Sequence, residues 1–274
     1  MRIACGVEYD GAGFHGWQRQ PRARTVQAEL ERALGSVANA PVSLVCAGRT
    51  DAGVHATGQV AHFDTAAERS PPAWLMGTNS NLPPEIAVRW AQPVASSFHA
   101  RRSTGQRHYR YLIAQGKARS ALWRQRAGWL AQPLDTQAVH SAAQRLVCEH
   151  DFSAFRAAGC QAAHAWRRID RITVQRRGDW VVVDVAGNAF LHHMVRILVG
   201  TLVRVGLQDR PCDWVGEVLA AGDRCRAGAT AAASGLYFLG PSYPQDTGVP
   251  PPRGDAAFPP GMGGAESQAG NVLD

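Results

Sequence analysis

The first segment of the chain alternates apolar residues with smaller or polar ones. The apolar positions are Ile3, Cys5, Val7 and Tyr9. A period of two places these side chains on one face of an extended chain, and the Asp10-Gly11 that follows is a typical turn dipeptide. The pattern predicts a strand that ends at this turn.

The next segment shows helical spacing instead. Apolar residues recur every three or four positions, at Val26, Leu30, Ala33, Leu34 and Val37. Thr25 is a residue type that caps helices, so we expect a helix from there to about Gly35. Short apolar runs predict further strands at residues 42–47, 59–63 and 86–90. This part of the chain therefore indicates mixed helix and strand.

A similar mixture follows in the second half. The predicted elements are a strand around residues 109–113, a helix over 134–147, a hairpin of 172–174 with 181–185, and a helix over 190–205. The last of these is apolar almost all round, which is typical of a buried helix. The second half thus repeats the α and β content of the first.

Together these patterns predict the α+β class, with two similar α+β domains over residues 1–105 and 106–245. Each domain should have an antiparallel-rich sheet flanked by helices, and the two should face each other across a basic active-site cleft. Residues 246–274 are rich in proline and glycine and cannot supply a core, so we expect a disordered tail.

Basic residues exceed acidic ones. Lys plus Arg number 29 against 22 Asp plus Glu, for a formal charge of +7 and a pI near 9.5. This balance favours a polyanionic partner. Lys117 is the only lysine, so the other basic side chains are arginines, whose planar fork suits phosphates and base stacking. A genome-wide preference for arginine codons would produce the same ratio, and composition alone leaves both explanations open.

The cysteines and the apolar runs argue against several classes of protein. Six cysteines are scattered without a C-x-x-C pair or a Cys/His ligand spacing, which speaks against zinc and against a disulfide framework. No uninterrupted apolar run reaches the roughly 18 residues of a membrane helix. We expect a folded cytoplasmic protein with reduced thiols, no bound metal and no membrane partner.

Candidate chemistry concentrates in the run CAGRTDAGVHATGQVAHFDT, which extends from Cys46 to Thr65. Asp51 lies in a loop between two predicted strands, among small residues that let another molecule approach the backbone closely. A carboxylate in such a loop can be presented into a cleft. Asp-Ala-Gly is also an ordinary turn sequence, so spacing alone leaves both interpretations open.

Part of that run, GRTDAGVHATGQVAHF, resembles the signature of the TruA family of tRNA pseudouridine synthases. Six further segments resemble family motifs in the same order: YDGAGFHGWQRQ, TVQAELERAL, FHARRSTGQRHYRY, HDFSAFRAAGC, GNAFLHHMVRILVGTLVRVG and GLYFLGPSYP. Together they extend over nearly the whole chain apart from the tail. Arg102 and Cys148 replace the apolar residue and the glycine that are common there, which affects only the expected docking of RNA.

The resemblance implies an isomerase that breaks the N-glycosidic bond of a uridine, rotates the uracil and joins its C5 to the same sugar, without metal or redox cofactor. It makes Asp51 the nucleophile and Arg196 the ion-pair partner of Asp51. It makes Tyr109 the residue that stacks on the target uracil, and it assigns Arg49 to base flipping or to a tRNA contact. These roles are expectations from the family.

The resemblance also implies contacts with tRNA and with a second subunit. The expected tRNA contacts are Arg69, Phe98, His99, Ala100, Arg101 and Arg102, with Gly159, Cys160, Gln161, Ala162 and Ala163 in a second loop. Family members act as homodimers on uridines at positions thirty-eight, thirty-nine and forty, in the anticodon stem-loop. We therefore expect a homodimer that binds this part of tRNA.

The pairing of Arg196 with Asp51 also has an argument of its own. Arg196 lies within the predicted apolar helix, where a guanidinium without a partner would be strongly unfavourable. Pairing with Asp51 would keep the carboxylate ionised and available as a nucleophile. The alternative is that Arg196 extends to solvent from the edge of the helix.

Two other functions compete with this prediction. A non-catalytic tRNA-binding protein could use the same scaffold, although it would have no chemical need for Asp51, Tyr109 and Arg196. A glycoside-type hydrolase would need a second carboxylate roughly 5 to 10 Å from Asp51. The nearby chain offers only Asp64 for that role.

Overall fold

The computed structural model describes residues 1–252, which contain ten β strands and five α helices. The strands are β1 (Arg2–Tyr9), β2 (Val45–Cys46), β3 (His55–Asp64), β4 (Ile86–Val94), β5 (Gln106–Gln115), β6 (Gly128–Leu130), β7 (Cys148–Asp151), β8 (Trp166–Arg177), β9 (Trp180–Gly187) and β10 (Leu236–Ser242). The helices are α1 (Val26–Ala38), α2 (Pro71–Ser80), α3 (Thr136–Ala143), α4 (Met194–Gly206) and α5 (Trp214–Ala221).

These ten strands form one sheet. Its order is β4-β1-β3-β10-β5-β9-β8-β7, with β2 beside β3 and β6 beside β5. The pairings are antiparallel except for β10 with β3 and β5 with β6. The predicted α+β class with an antiparallel-rich sheet is confirmed.

The parallel contact between β10 and β3 joins the two halves of the chain. Strands β1 to β4 come from the first half and β5 to β10 from the second, so one sheet runs through both predicted domains. Tyr237 and Phe238 pair with His55 and Ala56 at this junction. The predicted boundary between residues 105 and 106 falls directly before β5, and the division into two domains stays a prediction.

The helices of both halves cover the same face of the sheet. Each of the five described helices contributes to the main core, through residues such as Leu30, Trp74, Val139, Leu198 and Val215. In β5, Tyr111 and Ile113 belong to that core, whereas Leu112 packs with Val182 in a smaller cluster. Since neighbouring residues of a strand point to opposite faces, the smaller cluster lies on the other side of the sheet.

Most of the predicted elements are present with shifted ends. Strand β1 and the β8–β9 hairpin match the period-two patterns, and α1 continues to Ala38, where Asn39 adopts a left-handed conformation. The run at 42–47 is a strand only at Val45–Cys46. The helix predicted over 134–147 is α-helical only at Thr136–Ala143. No pattern predicts α2, which presents just Trp74 and Thr78 as buried residues.

The helix predicted over residues 190–205 begins at Met194 instead. His193, directly before it, has a φ of 58°, a left-handed conformation that an α-helix cannot contain. Residues 190–193 therefore precede the helix as a loop. This loop contributes to the cleft described below.

Part of the predicted tail packs on the folded body. The Gln92 side chain donates a hydrogen bond to the Gly248 carbonyl at 2.9 Å, and Val249 packs against the main core. The rest of the predicted disordered tail, residues 253–274, lies outside the described residues. Within residues 1–252, no helix combines the length and the apolarity that crossing a membrane requires.

Candidate active site

A cleft of about 460 Å³ opens beside Asp51. Its walls come from residues 47–54 between β2 and β3, Tyr109 of β5, residues 159–161, and residues 189–195 around the start of α4. Asp51 is the only carboxylate among the described residues that line it. The lining side chains that carry or can accept positive charge are Arg49, Arg101, Arg107, His192 and His193. The cleft is therefore basic, with a single acid in its wall.

The backbone before Asp51 is held by a buried amide. Gln59 of β3 is fully buried, and its Nε2 donates a hydrogen bond to the Gly48 carbonyl at 2.6 Å. Its Oε1 accepts from the Gly48 N–H at 3.4 Å. Ala47 adds a bond from its N–H to the Val60 carbonyl at 2.8 Å. These contacts fasten the loop to the strand behind it.

A second set of contacts holds Thr50, the residue next to Asp51. The hydroxyl oxygens of Tyr9 and Thr50 lie 2.7 Å apart, and the Trp17 N–H donates to the Thr50 carbonyl at 3.0 Å. Gly16 has a φ of 85°, and a Cβ added there would lie 2.7 Å from the Thr50 carbonyl oxygen. Glycine is thus required at position 16 for this close approach. The Asp51 side chain, 25% exposed, is left at the cleft wall.

Three nitrogen-bearing side chains surround the Asp51 carboxylate. His192 Nε2 lies 3.5 Å from Oδ1, while His193 Nε2 and Arg196 Nη1 lie 3.4 and 3.6 Å from Oδ2. All three come from the beginning of α4 or the residues directly before it. The structure therefore brings Arg196 beside Asp51 although 144 positions of sequence lie between them.

Arg196 is held in place by the segment that precedes β10. Its Nε donates to the Ala231 carbonyl at 2.8 Å, and the Ala231 N–H donates to the Arg196 carbonyl at 3.1 Å. The Arg196 side chain is only 14% exposed. This geometry favours the pairing with Asp51 over the alternative in which Arg196 extends to solvent.

Tyr109 supplies an aromatic wall of the same cleft. Its ring meets Phe190 edge-on with centroids 5.1 Å apart, and it meets Phe238 at 5.0 Å. Burial raises the pKa of Tyr109 above its usual range, so the phenol stays protonated at neutral pH. The predicted stacking residue and the predicted nucleophile thus line one cleft.

The arginines of the cleft differ in how far they are already engaged. Arg49 and Arg101 are exposed at its wall. Arg107 donates to the Ala47 carbonyl at 3.2 Å, to the Arg101 carbonyl at 3.1 Å and to the Asn188 carbonyl. Burial lowers the pKa of Arg107. Arg107 therefore links three segments through hydrogen bonds. Arg49 and Arg101 are more available than Arg107 to an anionic ligand.

The second predicted contact loop reaches the cleft in part. Gly159, Cys160 and Gln161 line it, whereas Ala162 and Ala163 are not among the described lining residues. Arg156 shapes this loop, because its Nη2 donates to the carbonyls of Cys160 and Ala162, both at 2.7 Å. The expected tRNA contact of the loop stays a prediction.

The predicted contact run from Phe98 to Arg102 is divided between core and surface. Phe98 is 4% exposed and packs against His62 and Tyr243, and the Ala100 N–H donates to His62 Nδ1 at 3.1 Å. Both side chains belong to the core, so a stacking face for RNA is not available on Phe98. Contact with tRNA through this run would fall to its other members, which are His99, Arg101 and Arg102.

Arg69 lies apart from the cleft, two residues before α2 begins at Pro71. Its Nε donates to the Val37 carbonyl at 3.2 Å, and its Nη1 donates to the Glu68 carbonyl at 3.0 Å. The side chain is exposed. Its predicted contact would therefore be with a part of the tRNA outside the cleft.

One cluster near Asp51 has donor atoms of the kind that metals use. Asp51, His192 and His193 each bring one such atom, all within 4.8 Å of one another. The Arg196 guanidinium already adjoins the same carboxylate at 3.6 Å, and it would repel a second cation. We assign no metal to this cluster, and a metal-free site stays a prediction.

Comparisons with known proteins agree with the motifs. The model of a family described as tRNA pseudouridine synthase matches residues 6–101 and 142–244. A tRNA pseudouridine synthase A from Xanthomonas campestris pv. campestris is 53% identical over 252 residues, which are 91% of this chain and 98% of that protein. A protein of the same name from Shewanella amazonensis is 52% identical over 250 residues, 91% of this chain and 96% of that protein. The chain belongs to the tRNA pseudouridine synthase family.

Membership of the tRNA pseudouridine synthase family confirms the resemblance inferred from the motifs. Among solved structures, the crystal structure of a Cbf5-Nop10-Gar1 complex aligns with 86% of this chain and 57% of that chain, at a TM-score of 0.33 and 12% identity. The family match includes both the Asp51 loop and the start of α4.

Sequence reasoning missed the two histidines beside Asp51. His192 and His193 stand four and three positions before Arg196, respectively, in the segment GNAFLHHMVR. Residues three or four positions apart lie on the same side of a helix, so the neighbours of Arg196 on its predicted helix include both histidines. Phe190, in the same segment, was counted with the helix and instead packs on Tyr109.

Proposed function

We propose that this protein converts uridine to pseudouridine in the anticodon stem-loop of tRNA, with Asp51 as the nucleophile. Formation of pseudouridine in tRNA is the activity of its family, so the protein is an isomerase. The assignment of Asp51 as the nucleophile rests on the position of this residue. It is the one carboxylate among the described lining residues of the cleft, and it lies 3.6 Å from the Arg196 guanidinium.

The chemistry follows from one carboxylate in a basic cleft. Asp51 reacts with the ribose, either by attack on C1′ or by removal of the C2′ proton to give a glycal, and the C1′–N1 bond breaks. Arg196 opposes the charge of the carboxylate and limits its rotation, so that the reactive oxygen is oriented before the substrate arrives. The freed uracil then turns and bonds to C1′ through C5.

The walls of the cleft suit a base that has left its stack. A uracil inside a stem is out of reach of a carboxylate until it is flipped out, and a flipped base needs an apolar or aromatic surface. Tyr109 and Phe190 supply that surface within the cleft of about 460 Å³. Arg49 is exposed at the wall, where it can contact the phosphate of the flipped nucleotide.

The two competing functions fit this geometry less well. A glycoside-type hydrolase needs a second carboxylate near the first, and no other described carboxylate lines the cleft. Asp64 pairs with Arg2 at 2.8 Å, at the opposite end of β3 from the Asp51 loop. A binding protein without catalysis would have no need to bring Asp51, Tyr109 and Arg196 together.

The anticodon stem-loop and a homodimer are the finer parts of the proposal. The charge of +7 and the exposed Arg49, Arg101 and Arg102 support a contact with a folded RNA larger than one nucleotide. A second copy of the chain would extend this basic surface along the tRNA. We propose the dimer on the motifs that resemble the family.

The direct test uses unmodified tRNA transcripts that carry uridine at position thirty-eight, thirty-nine or forty. Pseudouridine is mapped by carbodiimide-dependent primer extension after incubation with the full chain. We expect a stop at each of these positions and none at uridines of the other arms. Modification confined to another arm would contradict the anticodon proposal, and a monomer in light scattering with tRNA bound would contradict the dimer.

The role of Asp51 is tested by Asp51→Asn with Asp213→Asn as the matched control. Asparagine keeps the shape of the side chain and lacks the charge. Asp213 is 74% exposed in a surface pair with Arg145, so the control makes the same change away from the cleft. We expect Asp51→Asn to abolish pseudouridine formation with tRNA affinity within a few-fold of the parent, and Asp213→Asn to turn over normally. Measurable turnover by Asp51→Asn would refute the assignment.

A further inference from the structure

In the proposed reaction, no residue has yet been assigned to accept the proton that leaves C5 of the uracil. The role inferred below for two histidines rests on that proposed function. When C5 of the uracil bonds to C1′, C5 still carries its hydrogen. That proton must leave so that its bonding electron pair restores the C5–C6 double bond, and N1, which left C1′ with an electron pair, takes up a proton. A group in the cleft must therefore accept the C5 proton. Asp51 is engaged at the ribose.

Most lining groups of the described cleft are poor acceptors. Burial raises the pKa of Tyr109 above its usual range, so the phenol holds its proton at neutral pH. Guanidinium groups, such as those of Arg49 and Arg101, have no lone pair to offer. Cys160 lies in the rim loop, where burial raises the pKa of its thiol but contacts with His192, Ala162 and Arg156 lower the pKa overall. It is compared with the two imidazoles in the test below.

The two imidazoles lie directly against the reacting carboxylate. Their Nε2 atoms are 3.5 and 3.4 Å from the two oxygens of Asp51, and their ring centroids are 4.0 Å apart. The backbone of His193 is left-handed, a strained conformation of the kind that clusters at active sites. Because a ribose held at Asp51 has its base within a few ångströms, the pair can reach C5 of a uracil in the cleft.

The surroundings of His193 keep its imidazole without a second ring proton. Burial lowers the pKa of His193, and His192, Arg196 and Arg224 act in the same direction, against the opposing charge of Asp51. Its imidazole is therefore neutral at physiological pH. The His192 side chain is 41% exposed, which gives an accepted proton a path to water.

We propose that the His192–His193 imidazole pair is the general base that removes the proton from C5 of the rearranged uracil. The C5–H bond breaks, its electron pair enters the ring, and the proton passes to an imidazole nitrogen and then to solvent. In this role the pair contacts the base, whereas Asp51 contacts the sugar. The two groups serve successive steps of one reaction.

The test compares ordinary tRNA with tRNA that carries 5-fluorouridine in place of uridine. With fluorine at C5 there is no C5 proton to remove, so consumption of 5-fluorouridine does not require a base at C5. The variants are His192→Gln, His193→Asn and the double variant, since asparagine tolerates the left-handed backbone of position 193. Single-turnover rates are measured as pseudouridine formed and as 5-fluorouridine consumed, after nuclease digestion and mass spectrometry.

We expect the double variant to lose about 10²-fold or more in the ratio of the ordinary rate to the 5-fluorouridine rate, the usual range for a lost general base. At least one single variant should show the same selective loss, so the single variants still test the proposal if the double variant fails to fold. Melting temperature and tRNA affinity report folding and binding. His15→Gln, a change at an exposed histidine outside the cleft lining, should leave the ratio at the parent value.

Other outcomes would overturn the proposal. Equal losses on both substrates would mean that the pair serves Asp51 or tRNA binding and has no role at C5. If every histidine variant kept the parent's ratio of the ordinary rate to the 5-fluorouridine rate, the pair would be excluded as the general base. A selective loss of the ordinary rate in Tyr109→Phe or Cys160→Ser alone would assign the general base to that residue. Two other results would instead contradict the proposed function: turnover by Asp51→Asn, or no pseudouridine from the parent protein.

Discussion

The hydroxyl oxygens of Tyr9 and Thr50 lie 2.7 Å apart in a buried contact, one residue before Asp51. Tyr9 ends strand β1, and Thr50 belongs to the loop that carries the proposed nucleophile. Burial raises the pKa of Tyr9 above its usual range, so its hydroxyl stays protonated and available as a donor. The contact therefore fastens the loop that carries Asp51 to strand β1.

Removing the Tyr9 hydroxyl should weaken both the fold and the reaction. In Tyr9→Phe the Thr50 hydroxyl is left buried without its partner, which destabilises a protein by about 1–3 kcal/mol. We expect that loss in the free energy of unfolding measured by urea titration, together with a lower kcat. In Tyr9→Phe/Thr50→Val both hydroxyls are gone, and the double variant should lose less than the sum of the two single variants. Strict additivity would show that the contact is unimportant.

Gly16→Ala should displace the same loop from its other side. An added Cβ would lie 2.7 Å from the Thr50 carbonyl oxygen, and the backbone φ of 85° disfavours any side chain. We expect a loss of more than about 1 kcal/mol in stability and a fall in kcat, because the loop must move away. Gly13→Ala is the matched control, since its nearest neighbour is the Arg24 guanidinium at 3.5 Å. Equal behaviour of the two variants would contradict the argument.

Arg196→Met should separate catalysis from binding. The change removes the cation 3.6 Å from Asp51 and the hydrogen bond to the Ala231 carbonyl. A hydrogen bond to a charged group contributes about 1.5–3 kcal/mol, so we expect kcat to fall by roughly 10- to 100-fold, with tRNA affinity within a few-fold of the parent. Arg196→Lys keeps the charge and should retain more activity. A folded Arg196→Met protein with the parent kcat would rule out the pair.

His62 should make the run from Phe98 to Arg102 sensitive to acid. His62 Nδ1 accepts the Ala100 N–H, and burial, with the nearby Arg2 and His99, lowers the pKa of His62 from 6.5 to about 4. The unfolded chain takes up the proton near pH 6.5 and the folded chain only near pH 4. The unfolded state thus binds more protons within this window, so stability falls as the pH is lowered from 6.5 to 4 and this effect is absent above it.

The pH effect is measured by comparing the parent protein with His62→Gln. Glutamine offers an oxygen to the Ala100 N–H and does not titrate in this range. We expect the melting temperature of the parent to fall more steeply between pH 6.5 and pH 4 than that of His62→Gln. Parallel curves for the two proteins would show that His62 does not carry the effect.

Local patterns were sufficient for the elements that depend mainly on near neighbours. The alternation in β1, the β8–β9 hairpin and the helical spacing after Thr25 each predict an element that the structure contains. The period of apolar residues is a property of consecutive side chains, and it places one face against the core wherever the element lies. The motif of Asp51 likewise indicated the family, which the comparisons confirm.

Other features depend on residues far apart in the chain, and only the tertiary structure decided them. The parallel pairing of β10 with β3, the burial of Phe98 and the left-handed His193 leave no periodic trace in the sequence. The same holds for the two imidazoles that meet Asp51 from the start of α4. The sequence by itself determined several elements, such as β1, α1 and the β8–β9 hairpin, and which aspartate to examine. The packing of distant segments decided which side chains surround that aspartate, because contacts between them form only once the sheet and α4 are in place.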